Sequence, residues 1–246
     1  IEAMSASRKN CSCSVRVYDV CPHSLVDMND SKLIIALTKG RILQETLPLL
    51  LTAGIEPLED VTASRKLLFE TGEPGVQLLI MRGSDVPTYV RFGSADIGIA
   101  GKDLILEGGS EGFYEPLDLH IARCKMMTAV PIQSREISGR LRVATKFTNI
   151  AKQFYAGRGQ QVELIKLSGA LELAPSLGLA DAIVDIVDTG KTLKANGLVP
   201  QDTIADISSR VIVNKAAMKI KTALIQKVLA NLSEAVEIGV ANSAER

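Results

Sequence analysis

Short, almost unbroken apolar runs alternate with helical segments along this chain, and that rhythm constrains its fold more than any other feature. A strand that is apolar at nearly every position is covered on both faces, so the pattern predicts an α/β protein whose parallel sheets lie between helices. The predicted strands are Leu33–Thr38, Lys66–Glu70, Val76–Met81, Asp96–Ala100, Lys125–Pro131, Leu141–Lys146, Val162–Leu167 and Ala182–Val187, with another in SSRVIVN at 208–214. Helices fit Ile42–Ala53, Val86–Phe92, Asn149–Ala156 and Thr189–Ala195. Ser84 and Asp85 stand where they can cap the second of these, and Pro87 suits its first turn. The segment Lys215–Val236 carries Met218, Leu224, Ile225, Val228 and Leu232 along one helical face. Packing on its own lobe is the favoured reading of that stripe, ahead of a subunit interface.

The two halves of the chain echo one another. IIALTKG before the first helix resembles RVATKFT before the helix at 149, and GSADIGIAG at 93–101 resembles GLADAIVDI at 178–186. Two similarly built lobes with a central cleft are the economical arrangement. Chance likeness among α/β units accounts for the echo nearly as well as duplication, and the two lobes do not depend on which is true.

The formal net charge is zero, which argues against a basic sheath for nucleic acid and requires any anion site to be a local concentration of Lys and Arg. No apolar run reaches the ~18 residues that a membrane span needs, so a cytoplasmic protein without a membrane partner is expected. Cys11, Cys13 and Cys21 cluster near the start with His23, at spacings that fit no familiar zinc motif. Residues 1–31 read as a flexible leader or cloning remnant, with Met28 as a true or alternative start. Cys124 reads as a packed thiol and not a nucleophile.

The chemistry concentrates in turns that follow strands. DAIVDIVDTGKTLKANGL, residues 181–198, runs from a buried strand through Asp185 and Asp188 into Thr189-Gly190-Lys191-Thr192 and a helix. Backbone N–H groups at such a turn suit a phosphate, and the acids suit ribose hydroxyls. It is not a Walker A loop, because Asp185 stands where that motif needs its first glycine. Thr38-Lys39-Gly40-Arg41 repeats the architecture with cations in place of acids. Ser64-Arg65-Lys66, Arg82-Gly83-Ser84-Asp85 and Gly101-Lys102-Asp103 supply further polar turns. In an open parallel sheet such turns gather beyond the carboxyl ends of the strands, where ligands bind.

ALTKGR (36–41), SRKLLF (64–69), SDVPTYVRFGSADIGIAGKD (84–103) and the 181–198 stretch together resemble the ATP phosphoribosyltransferases, over residues ~32 to ~230. The family resemblance implies a fold similar to type II periplasmic binding proteins. It implies that residues 32–120 plus 205–246 form lobe I and 121–204 lobe II. The chain resembles the short form of the family, which works with a histidyl-tRNA synthetase-like regulatory subunit. That implies a homodimer within a hetero-octamer. Ala170 stands where relatives commonly carry a serine, so a hydroxyl is missing there.

The reaction so implied is attack by adenine N1 of ATP on C1 of phosphoribosyl pyrophosphate. On this reading Asp185, Asp188, Thr189, Gly190, Lys191 and Thr192 hold phosphoribosyl pyrophosphate. Arg41 and Arg65 are the catalytic cations, Lys39, Gly40, Ser84 and Lys102 bind the ATP polyphosphate, and Mg2+ is bound mainly through substrate phosphates, with no protein metal site. Two other functions remain open on the residues: a type I phosphoribosyltransferase acting on a free base, and a non-catalytic anion-binding protein of the periplasmic-binding-protein fold.

Overall fold

The computed structural model describes residues 32–133 and 139–244. The predicted leader, with Cys11, Cys13, Cys21, His23 and Met28, lies outside the described residues.

Two mixed sheets organise the chain. The first runs in the order β2 (Leu68–Glu70), β3 (Val76–Met81), β1 (Leu33–Thr38), β4 (Ile97–Gly101), β11 (Ser209–Asn214) and β5 (Phe113–Asp118). The second runs β10 (Leu198–Ile207), β6 (Cys124–Pro131), β9 (Ala182–Val187), β7 (Leu141–Thr145) and β8 (Val162–Lys166). Only the central pairs are parallel: β1 with β3 and β4, and β7 with β8 and β9. The flanking pairs β2/β3, β4/β11, β5/β11, β6/β9 and β6/β10 are antiparallel, which corrects the expectation of parallel sheets. An apolar run reports burial on both faces. Strand direction is set by how the chain enters, and here it enters β6 and β11 after crossing between sheets.

Each sheet is covered on both sides by alternate side chains of the same strands. On sheet one, Leu33, Ile35 and Leu37 face helix α1 (Arg41–Thr52) and the C-terminal helix α8 (Thr222–Ala244), which contributes Ile225, Val228 and Leu232. The opposite face, with Ala36, Ala100 and Ile212, meets Val86 and Val90 of α2 (Val86–Arg91) and Ile105 of α3 (Lys102–Gly108). On sheet two, Val143 and Val184 pack against Ile150 and Tyr155 of α4 (Thr148–Gly157). Ala144 and Ile183 pack against Ala174 of α5 (Leu173–Ser176) and Leu193 of α6 (Lys191–Ala195). The apolar stripe of α8 thus serves the core of its own sheet.

Several elements differ from the sequence reading. Helices α3 and α5 and strands β5 and β10 were not expected: the helices are short, and the strands carry exposed and charged residues that break the apolar pattern. The expected helix 215–236 is two helices, α7 (Lys215–Ile220) and α8, divided at Lys221. The Lys221 ammonium turns inward to both oxygens of Asp96, at 2.9 Å each, and to the Lys32 carbonyl. Asp96 is buried and also accepts from the Ile34 N–H at 2.8 Å, so its charge has the partners that burial demands. Ser84 and Asp85 make no side-chain cap on α2; Ser84 donates to the Asp85 carboxylate instead. The cap that the sequence reading missed is Asn214. Its Oδ1 accepts from the Ala216 and Ala217 N–H groups, and its Nδ2 donates to the Val90 carbonyl at 2.7 Å.

Asn214 therefore ties the end of β11 to two helices. Asn214→Ala should destabilise the fold by about 2 kcal/mol, from one lost cap and one lost buried hydrogen bond. Lys32→Ala removes only the exposed ion pair with Glu70 and should cost less than about 0.5 kcal/mol. Urea midpoints compared at equal slope decide between the two; equal midpoints would show that the cap carries nothing.

Candidate active site

The order β3-β1-β4 sends the chain to one side of β1 and then to the other, which makes the end of β1 a topological switch point. These strands are parallel and end at Thr38, Met81 and Gly101, so Lys39–Arg41, Arg82–Asp85 and Lys102–Asp103 leave the sheet at one edge. Arg65 joins them, because β2 is antiparallel to β3 and begins at the same edge, with Leu68 opposite Leu79. Sheet two repeats the device. In the order β8-β7-β9, Lys146 follows β7 and Asp188–Lys191 follow β9.

Two glycines shape the turns. Gly40, before α1, has φ 88° and ψ −141°, and Gly190, before α6, has φ 70°. Both lie where a side chain is strained, so Gly is the residue that lets the backbone turn so tightly into each helix. The helix expected from Thr189 begins only at Lys191, leaving Thr189 and Gly190 in the turn.

The two turns meet. Arg41 Nη1 donates to Asp188 Oδ2 at 2.7 Å, joining the turn after β1 to the turn after β9. Arg41 Nε donates to Glu45 Oε1 at 2.6 Å, and Glu45 Oε2 accepts from the Ala122 N–H at 2.6 Å. Partial burial works against the Glu45 carboxylate, but the Ala122 N–H and Arg41 together hold it below its ordinary range. Arg41 is held more firmly in its charged form, by its hydrogen bond to Glu45 above all.

Two further carboxyls, Asp185 and Asp103, are desolvated, and the charge of Asp103 reaches Asp185. Asp185, within β9 and opposite Met127, accepts from the Ile186 N–H at 2.8 Å. Burial pushes its carboxyl up, with Glu172 and Asp103 adding to the effect and Lys146 opposing it. Asp103, at the start of α3, is only 7% exposed, and burial pushes it up too, against its own N–H and the charge of Lys146. A second tie runs from α3 to α4: the Glu107 carboxylate accepts from the N–H groups of Asn149 and Ile150 at 3.0 to 3.1 Å and so caps α4.

The remaining expected residues divide. Lys39, Arg65, Ser84, Asp188, Thr189, Lys191 and Thr192 are exposed at these turns. Lys102 is not free there, since its ammonium meets both oxygens of Glu115 at 2.8 and 2.6 Å. Ala170 adopts φ 50°, the left-handed region, close before α5. Cys124 is half-buried, and burial above all pushes its thiol up to about 11, as a packed thiol requires. Glu45 and Glu107 were not among the residues expected from the sequence, and Asp103 was expected only as a member of the Gly101-Lys102-Asp103 turn. Of Glu45 and Glu107 only the first had a signal, its i+4 spacing from Arg41. A separate concavity of about 550 Å³, lined by Arg140, Lys152, Tyr155 and Gln161 among others, lies on the α4–β8 side and includes none of these turns.

Known proteins resemble this chain in sequence and in fold. The family model described as ATP phosphoribosyltransferase matches residues 82–234. An ATP phosphoribosyltransferase of Saccharophagus degradans is 67% identical over 206 residues, covering 84% of this chain and 97% of the relative. That of Pseudomonas paraeruginosa is 60% identical, covering 83% and 97%. Among solved structures, the ATP phosphoribosyl transferase (HisG:HisZ) complex from Thermotoga maritima matches with a TM-score of 0.73 at 33% identity, over 83% of this chain and 98% of that one. The periplasmic aliphatic sulphonate binding protein SsuA from Escherichia coli matches with a TM-score of 0.50 at 16% identity, over 87% and 76%, which is a likeness of fold alone. The fold is thus two α/β lobes with a central cleft, similar to type II periplasmic binding proteins.

The buried carboxyls give a pH signature. A carboxyl whose folded-state pKa is raised stabilises the fold below its unfolded pKa, about 3.9 for Asp, and that contribution is lost as pH rises through the folded value. Asp103→Asn should therefore be more stable than the parent at pH 7. The gain should shrink as pH falls toward 4. Unfolding free energies measured across that range check it; an Asn variant less stable at pH 7 would mean that the charge is needed in the fold.

Proposed function

Because the chain belongs to the ATP phosphoribosyltransferase family, we propose that its two facing turns divide the substrates of that reaction between them. Adenine N1 of ATP attacks C1 of phosphoribosyl pyrophosphate, giving N1-phosphoribosyl-ATP and pyrophosphate, the first step of histidine biosynthesis. Asp185 and Asp188 hold the ribose hydroxyls, and Thr189, Gly190, Lys191 and Thr192 cradle the 5-phosphate. Lys39, Gly40, Arg41, Arg65 and Ser84 take the polyphosphates. Lys102, expected among them, is left a supporting place because Glu115 already occupies its ammonium.

The observation that carries this reading is the ion pair between Arg41 and Asp188. It sets a cation suited to polyphosphate against an acid suited to ribose, and each neutralises the other where the two substrates would have to meet. Displacement at C1 builds positive charge on the ribose and negative charge on pyrophosphate, so the enzyme's contribution is positioning and electrostatics. The planar fork of Arg65 offers a leaving phosphate two parallel hydrogen bonds, and the two terminal nitrogens of Arg41 do so once a substrate displaces Asp188 from Nη1. Adenine N1 carries a free lone pair, so the attack needs no general base.

Among the described residues no three His, Cys, Asp or Glu side chains converge as metal ligands. Mg2+, carried mainly on substrate oxygens, would neutralise charge on the pyrophosphate. We read residues 32–120 with 205–246 as lobe I and 121–204 as lobe II, with β11 in the first sheet and β6 to β10 in the second; β10 runs on in the second sheet to Ile207, three residues past that boundary. The Thermotoga relative was solved as a HisG:HisZ complex. By analogy this chain takes a regulatory subunit, of histidyl-tRNA synthetase-like type, as a homodimer within a hetero-octamer. The candidate compartment is the cytoplasm, and among the described residues no helix is long and apolar enough to cross a membrane.

The direct test mixes the purified chain with ATP, phosphoribosyl pyrophosphate and Mg2+, with and without the synthetase-like subunit. Pyrophosphate release that requires both substrates is expected; release with a free base in place of ATP would overturn the assignment. Arg65→Ala should lower kcat by about 10²-fold, the usual scale for one lost electrostatic donor. A change confined to KM for ATP would make Arg65 a binding residue only. Asp188→Asn should chiefly weaken phosphoribosyl pyrophosphate binding, read by titration calorimetry. Unaltered affinity would remove Asp188 from the ribose site.

A further inference from the structure

Arg41 occupies an unfavourable position for a cation. It is the first residue of α1, where the helix dipole presents partial positive charge, and its side chain is 53% exposed. Left alone it would sample many rotamers, and a long exposed arginine loses that freedom only at a cost in free energy. Glu45 lies one turn further along the same helix, at the i+4 spacing that brings side chains together. Its carboxylate takes the Arg41 Nε at 2.6 Å and leaves the terminal nitrogens free of it; one of these meets Asp188 at 2.7 Å.

The other oxygen of Glu45 has a different partner. It accepts from the Ala122 N–H at 2.6 Å, in the crossing between β5 of sheet one and β6 of sheet two. That crossing is strained: His120 and Ala122 have φ 55° and 49°, a region that non-glycine residues enter only at a cost of ~1–3 kcal/mol. It leads directly into β6, whose Lys125 pairs with Val187, the residue before Asp188. One carboxylate therefore holds both the arginine and the start of the strand beside the opposing acid.

We infer that Glu45 is a positioning residue for phosphoribosyl transfer, which fixes the Arg41 guanidinium relative to the Asp188 turn by bonding the arginine and the β5–β6 crossing at once. It touches no reacting atom and acts through Arg41. The inference rests on the proposed function. Carboxylate geometry is essential to it: Gln can accept from one N–H but cannot also offer the arginine a charged oxygen, and Asp is a methylene too short to span both partners.

Steady-state kinetics on Glu45→Gln and Glu45→Asp, each in the parent and in an Arg41→Ala background, test it. In the parent background kcat should fall about 10-fold or more for both variants. KM for phosphoribosyl pyrophosphate should change less than about threefold, because a misplaced catalytic group costs rate more than affinity. In the Arg41→Ala background the same substitutions should change kcat less than about twofold, since two residues acting as one unit are not additive. Unchanged kcat in the parent background overturns the inference. So does an equal fall in both backgrounds, which would place the effect in the crossing and not in the arginine. Thermal midpoints within a few degrees of the parent show that the fold is intact; should Gln unfold the chain, the Asp variant carries the same comparison. If the parent itself releases no pyrophosphate from the two substrates, the proposed function fails first, a result distinct from any Glu45 effect.

Discussion

Strand β11 brings residues from the far end of the chain back into the first sheet, antiparallel between β4 and β5, with Ser209 opposite Gly101 and Arg210 opposite Asp118. Much else depends on that insertion. It completes the sheet whose parallel centre ends in the basic turns, and it presents Ile212 to one face and Val211 and Val213 to the other. Its last residue, Asn214, caps α7, and the Lys221 that ends α7 neutralises Asp96 beneath β1. A chain that must return in this way has to cross between sheets. One of these crossings, between β5 and β6, carries backbone strain at His120 and Ala122.

Polar groups tie sheet one to sheet two at several points. Arg41 meets Asp188, Glu45 meets the crossing, and Glu107 caps α4 from α3. Each tie is charge-assisted, and the Arg41 to Asp188 pair is half-exposed, so on its own it contributes little to stability. Its value is geometric. A weak, solvent-accessible ion pair is one that an anionic substrate and its ribose can replace partner for partner, whereas a buried one would be costly to break. The desolvated acids Asp103 and Asp185 oppose folding at neutral pH, a cost that proteins accept where charge serves binding.

The sequence made β1, β3 and β9 legible to the residue, because an apolar run bounded by Lys39, Arg82 and Asp188 has unambiguous ends. It also placed the glycine turns. It did not reveal β5 or β10, whose exposed and charged residues break the apolar pattern, as Tyr114 and Glu115 in the first and Gln201 and Asp202 in the second illustrate. It read the last helices as one, because the stripe of Met218, Leu224 and Leu232 is continuous in period even though Lys221 turns inward between its parts. Ser84 looked like a helix cap and is not one, since Asp85 takes its hydroxyl.

Composition, periodicity and motif determined by themselves that this is an α/β protein with acids and a glycine turn on one strand end and cations on another, because those properties are local and each is written in a few adjacent residues. Which turns confront each other was decided only by the tertiary structure. Arg41 and Asp188 come from different sheets, and nothing in their spacing along the chain announces a 2.7 Å contact. The same holds for Glu45, whose second partner is a backbone N–H in a strained crossing. Strand order and direction bring such groups together, and these follow from how the whole chain closes its two cores, a global packing problem that no short stretch of sequence encodes.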